Sequence, residues 1–340
     1  MNRTMEKAER VRRALAGAPV DRPPISFWWH HFAREHTADE LAAETVEQFR
    51  RYDWDIIKIQ SRATVFAEGW GVRYQPSTAR AVAPVITAWP VRSPQDLASV
   101  RPLDPSAGVL GEQVTALRAV RRAAGAGVPI LQTVFAPAMV LSYMLGGSPD
   151  REPRLLDLIR HHPVEAHRAL TAIRDTLIGY TRLALENGAD GIFFAVKAAS
   201  ADQMTRSEYA EFGLPYDRDL LATAAPGWAN MLHLCGPRLY FDVADDLPTP
   251  LLNWALDAGN PGLAVGRDRT NRAVIGGVSA KPRIREMSPQ ALTAEVAAAL
   301  DDTQGVRVMI GPGCSISPDT PEENLRALRS AVERDGGRRG

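Results

Sequence analysis

Residues 186–196 read Glu-Asn-Gly-Ala-Asp-Gly-Ile-Phe-Phe-Ala-Val. Asn187-Gly188 is a helix-stop signal, because these two residue types most readily take the left-handed conformation that ends helices. The run Gly191–Val196 that follows is apolar and of strand length. Upstream, from about Ser142 to Glu186, the pattern is helical, with breaks near Gly146–Pro153 and at Pro163. Downstream, a helical pattern over Ser207–Ala225 leads to another apolar run, Ala229–Leu234. Apolar strands without alternation, separated by helices, describe a parallel sheet covered on both faces.

The same alternation extends in both directions. Apolar runs occur at Pro23–Trp29, Asp55–Gln60, Pro129–Phe135, Pro250–Trp254, Val274–Val278 and Val306–Ile310. Thr37 and Glu40 have capping-box spacing before one helix, and Ser288 is placed as N-cap of another. With the two runs above, eight strands in 340 residues fit a (β/α)8 TIM barrel, typically ~250 residues plus insertions. The expected α/β architecture is therefore a single barrel domain over residues 1–340. It carries an N-terminal helical extension and an irregular insertion, Ser61–Pro105, after the second strand. Gly69-Trp70-Gly71 makes that insertion a candidate lid or docking surface. A doubly wound open sheet is the alternative. It lacks support from a G-x-G-x-x-G after the first strand or a Walker loop.

Composition narrows the function classes. Hydrophobic residues make up 45% and charged residues 24%, and 40 basic residues balance 40 acidic ones. A neutral chain without a basic tract gives no reason to expect nucleic acid or an anionic membrane as partner. No apolar run reaches the ~20 residues of a membrane span. The charged, helix-patterned start has no signal-peptide core, so a cytoplasmic location is expected. Two cysteines, Cys235 and Cys314, rule out a disulfide scaffold.

In a barrel of this type, chemistry sits at the C-terminal strand ends. Cys235 follows the fifth run and Cys314 the eighth. His233 stands two residues before Cys235, so both side chains leave the strand on one side. One imidazole and two thiols can form a three-ligand zinc set with an open fourth position. The residues alone leave other readings open: small buried thiols, a core histidine, or a disulfide.

At these residues a resemblance emerges. The opening RVRRALAGAPVDRPPISFW, the run ENGADGIFF, NMLHLCG, AVIGGV and MIGPGCSISPDTPEENLRAL are together similar to the uroporphyrinogen decarboxylase superfamily. Within it they resemble the zinc-dependent branch of methylcobalamin:coenzyme M methyltransferases. The resemblance covers nearly the whole chain. It implies a (β/α)8 barrel, Zn2+ held by His233, Cys235 and Cys314, and methyl transfer to a small thiol bound as a thiolate. Thiols of pKa ~8.5 are mostly protonated at neutral pH, and the thiolate is the nucleophile. A metal-free decarboxylase of a polycarboxylate and a non-catalytic partner-binding barrel are the competing readings.

One departure bears on that choice. The first-strand loop reads FWWHHFAREH, with only Arg34 as a cation, where the decarboxylases have an arginine-containing segment for a polycarboxylate. Trp28, Trp29 and His30 instead suggest an aromatic wall, with Phe194 and Trp254 contributing. Lys58 with Gln60, and Lys197, fall at strand ends and suggest a clamp for an anionic substrate group. His161-His162, followed by Pro163, reads as a solvated helix feature. The chain has no D-x-H-x-x-G cobalamin motif. The methyl donor is accordingly expected to be a small methylated compound, a folate, or a methylcorrinoid delivered by a separate corrinoid protein. A homodimer is kept among the assembly states.

Overall fold

The computed structural model describes residues 4–256 and 259–339. After β1 (Ile57–Ile59) comes an antiparallel pair, β2 (Arg73–Gln75) and β3 (Val85–Ala88). The remaining strands are β4 (Ile130–Phe135), β5 (Gly191–Val196), β6 (Met231–Leu234), β7 (Leu251–Trp254), β8 (Ala273–Val278) and β9 (Val308–Pro312). Seven of them form one parallel sheet in the order β1-β4-β5-β6-β7-β8-β9. β4 and β5 are buried along their whole length, which is why their sequences show no polar alternation.

Seven of the eight expected strands are thus present. The first, Pro23–Trp29, is not a strand but contributes a single parallel bridge, Ile25–Ile310. Its prolines have no N–H to give to a ladder. What remains joins the two edges of the curled sheet. Ser26 N donates to Ile310 O at 3.0 Å, and Ile310 N to Pro24 O at 2.8 Å. On the other side Asp55 N donates to Ile25 O at 2.8 Å, and Ser26 Oγ to Ile56 O at 2.8 Å.

Helices cover the sheet. The long helical stretch resolves into Pro137–Leu145, Arg151–His161 and Pro163–Glu186, and Ser207–Ala225 divides at Gly213. Thr37 and Glu40 form the expected capping box, and Ser288 Oγ accepts from Ala291 N at 3.2 Å. Among the described residues no helix is long and apolar enough to cross a membrane.

The two ends of the sheet differ. Asp55, fully buried just before β1, accepts from Arg10, from both outer nitrogens of Arg22 and from Ile25 N, at 2.6–3.0 Å. This clasp ties the N-terminal helix Lys7–Ala16 to the strand starts. At the strand ends, buried Arg62 pairs with Glu68 (2.8 Å) and Glu112 (3.1 Å) and donates to the carbonyls of Glu35 and His36. The loop after Trp29 is thereby pinned to the insertion, beside the mouth.

Candidate metal centre

His233 is the third residue of β6 and is buried; Cys235 follows the strand directly, and Cys314 lies two residues beyond β9. Cys235 N donates to Val196 O at 2.8 Å, extending the β5–β6 ladder by one bond. Gly236 then takes φ 111°, a value that suits glycine, and the chain turns away at once. At Gly313 a Cβ would stand 2.6 Å from Ala255 Cα and 3.0 Å from Trp254 O. The missing side chain is what allows the Cys314 loop to sit against the end of β7.

These two turns bring one imidazole nitrogen and both sulfurs within 4.8 Å of one another. Tetrahedral zinc sets such atoms roughly 3.3–3.8 Å apart, so a small inward shift suffices. Both cysteines are half-buried and free. A hydrogen bond between the two thiols pushes Cys235 up and pulls Cys314 down, and His233 lowers Cys314 further. A metal ion held by both sulfurs must displace whatever proton they share. Lys197 and Lys281 both favour ionised Cys235.

Asn253, which the sequence reading missed, fixes the histidine. Its Nδ2 donates to Ile275 O at 2.7 Å and Pro312 O at 2.9 Å, so its Oδ1 is the atom facing His233 Nδ1, at 2.6 Å. His233 Nδ1 must then carry the proton, which leaves the Nε2 lone pair for a metal. This is the usual way a ligating histidine is oriented. The β6–β7 register pairs His233 with Asn253. A polar residue in an otherwise apolar run, Leu-Leu-Asn-Trp, was the available signal.

The other expected residues divide. Trp28 lies edge-on to Phe193 (5.5 Å), and Phe193 stacks on His233 (5.1 Å, 27°). Lys58 Nζ stands 4.4 Å over the same Phe193 ring. Lys58 donates to Gln60 Oε1, Gln60 Nε2 faces His30 Nε2 at 2.7 Å, and His30 Nδ1 faces Glu35 Oε2 at 2.8 Å. Lys58, Gln60 and His30 are therefore one cluster, with Glu35 and Phe193 as members that the sequence did not mark.

The aromatic wall is not assembled as expected. Trp29 packs on Tyr52 (5.8 Å), Phe194 is fully buried in the core, and Trp254 packs on Phe241 (4.9 Å) with its Nε1 on Pro261 O. Lys197 is held by Glu152 at 2.6 Å, and Glu152 also binds Arg151. Its charge is matched within the protein. His161, exposed, meets only Asp157 on its own helix among the described side chains.

The family model described as "Uroporphyrinogen decarboxylase (URO-D)" matches residues 6–334. The chain belongs to the uroporphyrinogen decarboxylase family. Uroporphyrinogen decarboxylase of Gloeobacter violaceus is 24% identical over 94% of this chain and 95% of its own length. That of Mycobacterium leprae is 30% identical over 57% and 53%. Among solved structures, a methyltransferase from Methanosarcina mazei superposes with TM-score 0.83 at 21% identity, covering 97% of this chain and 99% of its own. A B12-independent methionine synthase from Shewanella follows with TM-score 0.57 at 12% identity, covering 89% and 88%. The structural likenesses establish the fold. The sequence relatives are named for decarboxylation, while proteins named for methyl transfer share the fold.

Proposed function

We propose that this family member is a zinc-dependent methyltransferase that transfers a methyl group to a small thiol. The observation that carries the reading is the convergence of His233, Cys235 and Cys314, with Asn253 reserving His233 Nε2 for a ligand. His and two thiolates cancel the charge of a divalent ion, and three protein ligands leave a position for substrate. Zinc bound there would acidify a thiol and hold its sulfur in place.

The chain's own residues supply the rest. Phe193 and Trp28 form an apolar flank beside His233, which excludes water from one side of the reacting sulfur. Lys58 places its amine on that flank, over the Phe193 ring. The methyl donor is a second molecule, with a methylcorrinoid on a separate protein as one class. The same reading takes the curled sheet as a TIM barrel of one domain, closed by the stretch 24–26.

The names of the sequence relatives favour decarboxylation of a polycarboxylate as second reading. Against it, Arg34 is half-exposed and engaged by Glu44 and Glu47 at 3.0 Å, which leaves little cationic lining for many carboxylates. Metal analysis separates the two. About one zinc per chain is expected, with zinc content and thiol methylation falling more than ~100-fold in Cys235→Ala and Cys314→Ala. Metal-free protein with chelator-resistant activity would instead support decarboxylation.

A further inference from the structure

The two cysteines come from strands that are not neighbours. β6 and β9 are separated in the sheet by β7 and β8, and three strand spacings amount to roughly 14 Å along a flat sheet. The curl of the sheet and the turns after the two strands bring the sulfurs within 4.8 Å of one another. The turn after Cys235 is held from two sides. On the β5 side, Ser200 Oγ donates to Pro237 O at 2.6 Å and Ala201 N to Arg238 O at 3.0 Å. On the β7 side it is held by Asn260. The Oδ1 of Asn260 accepts from Leu239 N at 3.0 Å, which fixes Nδ2 as the donating atom. That nitrogen donates to Gly236 O at 3.0 Å and to Ala255 O at 2.9 Å. Ala255 directly follows β7, and Gly313 packs against it immediately before Cys314. One amide therefore joins the residue after Cys235 to the support of the Cys314 loop.

We propose that Asn260 is a positioning residue of the metal centre, which sets the separation of the Cys235 and Cys314 sulfurs by clamping the turn after Cys235 to the end of β7. The inference rests on the zinc-site reading above. Asn253 orients the imidazole from within β7, and Asn260 serves the thiols from the loop beyond it. With the clamp removed, Gly236 O and Ala255 O lose their shared donor, and the turn keeps its ties to the loop after β5. The chain contains a matched control. Asn230 makes the same three kinds of bond: its Oδ1 accepts from Ile192 N at 2.9 Å, and its Nδ2 donates to Ala224 O at 2.7 Å and to Gly227 O at 2.8 Å. It stands just before β6, at the opposite end of the strand from Cys235.

The test titrates the metal-stripped, full-length protein with Co2+, a spectroscopic probe for a zinc site. The intensity of the sulfur-to-cobalt charge-transfer band grows with the number of thiolate ligands. Wild-type protein should bind about one Co2+ per chain through both thiolates. Asn260→Ala should bind Co2+ about 10–100-fold more weakly. Its charge-transfer intensity per bound ion should fall to about half, the contribution of a single thiolate. Asn260→Asp keeps an acceptor for Leu239 N and loses both donors, so it should behave in the same way. Asn230→Ala should lose stability in urea as Asn260→Ala does, yet keep the wild-type spectrum and affinity. Wild-type spectra and affinities in both Asn260 variants overturn the inference. An equal change in Asn230→Ala also overturns it, because general destabilisation then accounts for the effect. If the Asn260 variants do not fold, amide exchange in the wild type decides. Zinc loading should slow exchange in residues 259–264, which carry no ligand, together with 236–241; no slowing in 259–264 overturns the inference. Wild-type protein that binds neither Co2+ nor Zn2+ removes the zinc reading and this inference with it, whereas unchanged variants of a metal-binding protein remove this inference alone.

Discussion

Asn253 shows how much one side chain decides at the site. Two donated bonds to Ile275 O and Pro312 O lock its amide, and the third bond selects the histidine tautomer. Asn253→Ala frees the His233 ring and removes the side-chain donor from two carbonyls. Zinc affinity, measured by competition with a chromogenic chelator, should fall about 10–100-fold. Stability should fall by about 1–3 kcal/mol in urea unfolding. Unchanged zinc affinity would show that His233 does not depend on this partner. The two lysines make a related contrast. Lys197 and Lys58 look equivalent in sequence, each at the end of an apolar run. Glu152 matches the charge of Lys197, while Lys58 is held by an amide.

At the scale of the element, strand parity explains which aromatic residues were misplaced. Phe193, Trp28 and Asn253 point toward the site, and their neighbours Phe194, Trp29 and Trp254 into the surrounding core. On a strand buried on both faces, both parities are apolar, so the choice between neighbours is invisible in the sequence. The adjacent helices carry a different buried group. Asp217 in Leu214–Ala224 accepts from Tyr209 Oη at 2.8 Å across the break at Gly213, and burial pushes it up to about 7. Its folded value lies above the unfolded one, so its contribution to stability is full below about pH 4 and is lost as pH rises through about 7. Asp217→Asn keeps an acceptor for Tyr209 without the charge. Its unfolding free energy should exceed that of the wild type at pH 8 by about 2–4 kcal/mol, with the gap narrowing toward pH 4. A gap independent of pH would count against this account.

For the whole molecule, the clasp on Asp55 joins the N-terminal helix, the stretch 22–25 and the start of β1. Burial opposes its charge, but Arg22 and Arg10 outweigh burial and hold it below the ordinary carboxylate range. Its stabilisation is therefore present above about pH 4 and is lost as acid protonates it. Asp55→Ala leaves two arginines buried or nearly so without this partner and should cost about 3–5 kcal/mol. Urea titrations at pH 7 and pH 3 should show the loss at the first and a smaller one at the second. Much of this architecture was legible. Asn187-Gly188 before Gly191–Val196 marks a helix-to-strand passage, because stop residues and continuous apolar runs are local properties. The pairing of His233 with Cys235 was legible for the same reason, since i and i+2 share a side of any strand. Cys314 joined them by its place at the end of the eighth run, and the family motifs strengthened that assignment. The tertiary structure decided what depends on contacts between distant segments. Pro23–Trp29 became a single bridge, because pairing depends on what two edges offer to a segment poor in N–H groups. Asn253 and Glu35 became parts of the site because register and loop packing, which no local pattern encodes, carried them there. The sequence by itself determined the order of elements and the residues able to bind a metal. Only the fold decided which side chains surround those residues, because burial removes the alternation that would have announced them.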